Sequence, residues 1–449
     1  MINTNSQNEN TTESGFPSAF RISEVLLTNA YGKTADIKAL VTGITITESI
    51  YTYALVATVE IRDTVNMFEE YRISGQERID ITLQKRDRGS KENIKIKKTF
   101  YVSEIPTFGK MKDAVQAYQL TCVSEHAFYN HLVSISRTSQ GSISKQISKI
   151  VSGDLQYSGI VESDSDSKGN IKLIIPNMKP FTAIAWLLRH AYSDSGSPIY
   201  AFESLDGFKI KTHKRLSEQT SLGTYKFNFL QQANPNTPEG YEQAKYKILS
   251  MSSDLNSSKY LMSARGAYAS TTRVVDVSKK KYYDIKYDYR SKFPGTPTMG
   301  GRNSKELISS KFKIKDETLN HHHDSLYIHI NENSMAYDTY KNYHDPAIYS
   351  VGSHQSMLEN LDSIKHSIVI HGDLDINAGK KITIEAPKSI DPQVLKKIRD
   401  KDAKRSALHD MMISGDYLIT AVKHTFGAEY SCALTIKKDY SYYTLDSAE

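Results

Sequence analysis

The stretch Ile73-Ser-Gly-Gln-Glu-Arg-Ile79-Asp-Ile81 launches an alternating strand from a glycine turn. Tyr101-Val102-Ser-Glu-Ile105 and then Tyr118-Gln-Leu120-Thr-Cys122 follow it. The same plan recurs far downstream. Ile376-Asn-Ala-Gly-Lys-Lys-Ile382-Thr-Ile384 is followed by Tyr417-Leu-Ile419-Thr-Ala-Val422 and by Tyr430-Ser-Cys432-Ala-Leu434-Thr-Ile436. In each copy a Gly turn (Gly75, Gly379) opens a period-two strand and a two-strand return closes the unit. The two glycines stand one position apart in register, so the repeat is approximate. Alternation of this kind marks half-buried antiparallel strands. A β-unit written twice in one chain builds quasi-symmetry, which points toward assembly and away from catalysis.

Outward from the first copy, Ile44 and Ile46 alternate with threonines, and Leu55, Ala57, Val59 and Ile61 form the next apolar stripe. Ile94, Ile96, Phe100 and Val102 continue the pattern, with the charged Arg86–Glu92 segment as a hairpin tip. Asp63–Tyr71 reads as a short helix capped by Asp63. Residues 19–125 are therefore expected to form one small β-barrel, after a polar arm at 1–18 that has no apolar signal-peptide core.

The pattern changes in residues 126–240, expected to be an α+β insert. Ser142 precedes a helix with Ile143, Ile147, Ile150 and Val151 on one face. Ser163–Gly169 is a Ser/Asp loop, and Pro180–Ala191 is a helix with Pro in its first turn. Strands are expected at Ile199–Glu203 and Gly207–Thr212, then at Lys247–Asp254, Ser263–Asp276 and Tyr282–Tyr289. Phe293–Arg302 is rich in Pro and Gly and reads as a linker, and a helix is expected at Met357–Lys365. The second barrel is assigned to 241–293 and 366–449, with a charged insertion at 388–412. Residues 294–365 form a linker or insertion packing with the α+β part. The fold class is thus α+β and β-rich: two tube-protein-like antiparallel barrels with an inserted α+β domain.

The chain has 449 residues, enough for several domains. Its net charge of +6 is too dilute to imply nucleic-acid binding. There are 29 tyrosines against 1 tryptophan, a bias suited to half-buried strands and wet interfaces. Cys122 and Cys432 fall at matching places in the two copies and read as buried thiols of a protein made in a reducing cytoplasm. The longest apolar run, Phe181–Leu188, is well short of the ~20 residues of a membrane helix.

Catalytic motifs are missing from the sequence: there is no phosphate loop, dinucleotide fingerprint, HExxH or CxxC. His321, His322 and His323 are adjacent and cannot converge on one ion from a regular element, so a polar loop is the preferred reading. The alternative is a metal site with His329 as a further ligand. Glu69 and Glu70 are neighbours on a solvated helix, without the cleft a glycosidase needs. The cluster Lys396, Lys397, Arg399, Asp400, Lys401, Asp402, Lys404, Arg405 has mixed signs and reads as an exposed salt-bridged helix. Lys279, Lys280 and Lys281 read as a solvated hairpin tip. No cofactor is expected.

The order of parts resembles the central baseplate hub protein of contractile-tailed bacteriophages, related to the hub part of type VI secretion spike proteins. Three stretches carry the resemblance. Thr42-Gly-Ile44-Thr-Ile46-Thr-Glu-Ser-Ile50-Tyr51 with Ala54–Asp63 is similar to the family's opening hairpin. Gly372-Asp-Leu374-Asp-Ile376-Asn-Ala-Gly379-Lys-Lys-Ile382 is similar to its late strand start, and Gly415–His424 with Tyr430–Ile436 to its closing hairpin. The resemblance implies a structural, non-enzymatic homotrimer in a virion tail baseplate. Its two barrels per chain would form a pseudo-sixfold ring joining a sixfold tail tube, or tube initiator, to a threefold central spike. Baseplate wedge proteins are further implied contacts, and DNA would pass through the lumen without specific binding. The Gly75 and Gly379 turns, with Ile79, Ile81, Ile382 and Ile384 on the strands after them, are expected to face neighbouring barrels. Two other classes stay open: a tail-tip host-surface adhesin using the Tyr-rich 282–350 region, and a tail-associated cell-wall hydrolase.

Overall fold

The computed structural model describes residues 17–85, 94–112, 115–164, 171–193, 195–227, 237–254, 258–276, 280–322, 325–331, 350–389 and 409–441. Residues 1–16 of the N-terminal arm, the 86–92 tip, Lys279, His323 and the charged cluster at 396–405 lie outside them.

The strands of the first part are β1 (Arg21–Thr28), β2 (Thr34–Asp36), β3 (Val41–Ser49), β4 (Val56–Asp63), β5 (Arg78–Lys85), β6 (Ile94–Lys112) and β7 (Val115–Ser124). The middle holds β8 (Ile135–Gly141), β9 (Val161–Ser163), β10 (Ile171–Met178), β11 (Ile199–Ser204), β12 (Gly207–Thr212) and β13 (Thr224–Lys226). Then come β14 (Ile248–Asp254), β15 (Ala269–Asp276), β16 (Lys281–Asp288), β17 (Lys313–Ile314), β18 (Glu317–Thr318) and β19 (Leu326–Asn331). Last are β20 (Ile364–His371), β21 (Lys381–Glu385), β22 (Gly415–Phe426) and β23 (Tyr430–Lys438).

One 13-stranded sheet contains both copies of the repeated pattern. The first copy runs β3-β4-β7-β6-β5-β1, and the second runs β14-β20-β23-β22-β21-β13. Taken in chain order within each copy, the two strand orders are the same. The outermost pair differs in direction, because β1 is antiparallel to β5 whereas β13 is parallel to β21.

The ladders fix which residues correspond. Phe108 lies opposite Tyr118, and Phe426 opposite Tyr430, with both ring pairs stacked. Counting from these tyrosines, Cys432 corresponds to Leu120 and Leu434 to Cys122. The cysteines are therefore two residues apart rather than matched. The sequence alignment slipped by one period-two step, which leaves every side chain on its original face and so is invisible to pattern. Both thiols are buried and free, and burial pushes Cys122 up to about 12.

The alternation seen in the sequence is the burial pattern. Ile44, Ile46, Ala57, Val59, Ile61, Leu120, Ile370, Ile384, Tyr417 and Ile436 join one apolar cluster that spans both copies. A separate cluster joins Ile135, Ile143, Ile147, Leu173, Ile184, Leu187 and Phe208 beneath the β8–β10 and β11–β12–β9 sheets.

Four expectations are corrected. Ser263–Asp276 is not one strand: Lys259–Ala264 is a helix capped by the Ser258 hydroxyl, and β15 starts at Ala269. β15, β16 and β19 form their own sheet, apart from β14. The helix expected at 357–365 occupies Val351–Leu361 and gives way to β20, whose own alternation begins at Ile364. The helix after Asp63 is a single turn, Met67–Glu70, although Asp63 does accept from Val65 N at 3.0 Å and Phe68 N at 3.0 Å. Among the described residues, no helix is long and apolar enough to cross a membrane.

Candidate functional site

Where the two copies meet, the later half of β22, Ala421–Phe426, pairs antiparallel with Ser49–Ile44 of β3. The joint is a continuous backbone ladder, and it carries a polar cluster in its interior. Glu48 of β3 and His424 of β22 are both fully buried, with His424 Nε2 3.6 Å from Glu48 Oε1. The other ring nitrogen, Nδ1, is 2.8 Å from the Tyr430 hydroxyl and 3.3 Å from Cys432 Sγ. Burial opposes charge on this imidazole, but Cys432 and the Glu48 carboxylate more than offset it and raise its pKa to about 10.

Glu48 ties three parts together. It accepts from Leu205 N at 2.8 Å, beyond β11, and from Ala378 N at 2.7 Å, before β21. Glu203 on β11 does the converse, accepting from Leu55 N at 2.9 Å and Ser124 Oγ at 2.5 Å. A second buried contact joins His213 to Asp439 at 3.3 Å, and Asp439 also accepts from Met299 N. These carboxylates fasten the middle of the chain across the joint of the two copies. Buried carboxylates bonded in this way rigidify a structure, although His424 Nε2 and His213 Nδ1 have no hydrogen-bond partner among the described residues.

Cysteine, histidine and carboxylate in line invite comparison with a catalytic triad. Here Cys432, His424 and Glu48 are all inaccessible, so no substrate reaches the sulfur and the row is structural. Glu69 and Glu70 stand on the outer single-turn helix, with Glu70 paired to the exposed Lys33 and Glu69 bonded to Asn66. They do not face each other across a cleft. His321 Nδ1 is 2.8 Å from Thr318 Oγ1, and His322 is 3.9 Å from Glu317. The described residues contain no group of metal-ligating side chains that could hold an ion. A cleft of about 340 Å³ is lined by Lys209, Lys211, Arg215 and Lys380. Lys209, Lys211 and Arg215 already face Asp206, Glu162 and Asp164.

Six residues were expected to face a neighbour: Gly75, Ile79, Ile81, Gly379, Ile382 and Ile384. Ile79, Ile81, Ile382 and Ile384 are at most 1% exposed and belong to the apolar core. Gly379 has φ +81°, and a Cβ there would lie 2.5 Å from Phe202, so its turn packs against the middle of the chain. Gly75, with φ +90°, has open space around it. The alternation that reveals these strands also marks the side turned inward, where the four isoleucines lie. Sequence reading missed Glu48, Glu203 and His424. The first and last carry a usable signal. Glu48 continues the apolar face of Ile44 and Ile46, and His424 that of Val422 and Phe426.

No family model matches the sequence, and no curated protein matches it. Solved structures do. A tail protein from Neisseria meningitidis MC58 is similar over 93% of this chain and 96% of that one, at 10% identity with a TM-score of 0.52. A 43 kDa tail protein of prophage MuSo2 from Shewanella oneidensis covers 93% and 100%, at 12% identity and a TM-score of 0.49. A type VI secretion system component of E. coli covers 96% and 79%, at 8% identity and a TM-score of 0.42. The first likeness establishes a shared fold with a tail protein.

Proposed function

We propose that this chain is the structural hub of a phage-type tail baseplate. Three copies form a ring whose six β-units present sixfold faces to a tail tube and threefold faces to a spike. Residues 19–125 form one tube-like unit. The second is drawn from within 241–293 and 366–449, with its sheet in β14 and β20–β23 joined by β13 from the middle of the chain, while β15 and β16 stand in a sheet of their own. Residues 126–240 and 294–365 decorate the pair. Strands of adjacent units line the channel, and the function is carried by interfaces rather than by a reactive group.

The observation that carries this reading is the identical strand order of the two copies, joined edge to edge in one sheet. Head-to-tail contacts between like units close into rings when the rotation per unit divides a full circle. A threefold partner alone would need one unit per chain, whereas a sixfold partner needs two. The test is sedimentation mass of the purified chain, alone and with its spike protein, beside a peptidoglycan zymogram. Trimers without a lytic zone are expected. A chain that stays monomeric in both samples, or one that clears peptidoglycan, would overturn the proposal.

A further inference from the structure

β22 has three partners: β23 along its length, β21 through Gly415–Leu418, and β3 through Ala421–Phe426. β6 holds the corresponding place in the first copy. It pairs with β7 through Phe100–Lys112 and with β5 through Ile94–Tyr101. Its later part, from Ser103 to Met111, has among the described residues no strand on the side away from β7. The counterpart of β3 is β14, which pairs with β20 and, among the described residues, with no strand on its other side. The two free edges do not pair with each other within the chain.

We infer that the later half of β6 pairs antiparallel with β14 of a second copy, repeating between chains the joint that β22 and β3 make within one. This inference rests on the ring reading and names the surfaces that close it. Exposure supports it. Phe426 at the internal joint is 1% exposed, whereas its counterpart Phe108 is 46% exposed, beside Met111 at 65%. Leu249 on β14 is 42% exposed. Pro106 falls within an irregular step of the ladder to β7. A proline and a bulge on an edge restrain promiscuous pairing while leaving the residues beyond free to dock.

The internal ladders also set the register. Phe426 lies opposite Ile44, Ile44 opposite Val59, and Val59 opposite Leu120, two residues past Tyr118. Ile248 lies opposite Ile370, and Ile370 opposite Cys432, two residues past Tyr430. Ile248 is thus the counterpart of Ile44, and Phe108 is placed opposite Ile248 of the neighbouring copy. One step along, Thr107 corresponds to Thr425 and Ser250 to Thr45, so Thr107 is placed opposite Ser250.

Residues directly opposite on antiparallel strands have Cα atoms about 4.5–5.5 Å apart, within disulfide range. The test is oxidation of the full-length Thr107→Cys, Ser250→Cys double variant, run on a non-reducing gel. The two native cysteines are buried and give little background. Covalent species of two and three chains are expected, formed at least about tenfold more than by the off-register pair Thr107→Cys, Ser252→Cys, whose strand offset exceeds disulfide reach. Phe108→Asp is a second variant, expected to give folded monomers by circular dichroism and sedimentation. A trimer that cross-links no better in register than out of register, and that survives Phe108→Asp, would overturn this joint while leaving the ring reading standing. A wild-type chain that never associates would remove both.

Discussion

Glu48→Gln tests whether the buried carboxylate fastens the joint. In the native chain two backbone N–H groups, from Leu205 and Ala378, donate to its two oxygens at 2.8 and 2.7 Å, and neither has access to water. Hydrogen bonds to a charged acceptor are worth about 1.5–3 kcal/mol each. A glutamine keeps the shape and one acceptor oxygen but turns an NH₂ toward the other donor. It also strips His424 of its neighbouring negative charge. Breaking a buried charged pair on one side costs roughly 3–5 kcal/mol, and the lost backbone bond falls inside that figure. For a cooperative unit of about 150–250 residues each kcal/mol is worth about 2–4 °C, so melting of such a unit is expected about 10 °C lower. Thermal and urea unfolding of the isolated chain, followed by circular dichroism, would read the change. A loss below about 1 kcal/mol, the ordinary scale of a point substitution, would refute the idea that Glu48 holds the three parts together.

Other outcomes follow from the same geometry. Gly379→Ala is expected to destabilise by more than about 2 kcal/mol, since it combines a left-handed φ with a Cβ 2.5 Å from Phe202. Gly75→Ala, with the same φ region and open space, should cost only about 1 kcal/mol. Paired urea titrations compare the two. His366 is pushed down to about 4 by burial, so its neutral form contributes stability above its unfolded value near ~6.5 that is lost as pH falls toward 4. His424 is raised to about 10, so its contribution is full below ~6.5 and is lost as pH climbs through 10. Stability measured against pH should therefore lose its acid limb in His366→Gln and its alkaline limb in His424→Gln, each by on the order of 2 kcal/mol.

The repeat was legible because half-buried strands write their burial into alternate residues, as in Tyr417, Ile419 and Tyr430, Cys432, Leu434. The same code hid the alignment slip between Cys122 and Cys432, since a two-residue shift keeps each face unchanged. Pairing between β22 and β3 joins residues at opposite ends of the chain, and nothing local in either strand encodes it. Ser263 and Ala264, the end of the Lys259–Ala264 helix, read as strand because they flow into the threonine- and valine-rich β15, and only the Ser258 cap marks the helix. Apolar alternation points to the strand faces that build the core, as at Ile79, Ile81, Ile382 and Ile384. Among the described residues, the later part of β6 and the outer side of β14 have no strand partner, and amino-acid pattern does not report such edges.

Electron-microscope class averages of the purified protein test the central claim most directly. The expected particle is a closed ring of six similar lobes with threefold differences at its rim, two lobes per chain. Isolated two-lobed particles at the highest soluble concentration, or rings with a lobe number that three chains of two units cannot supply, would contradict it.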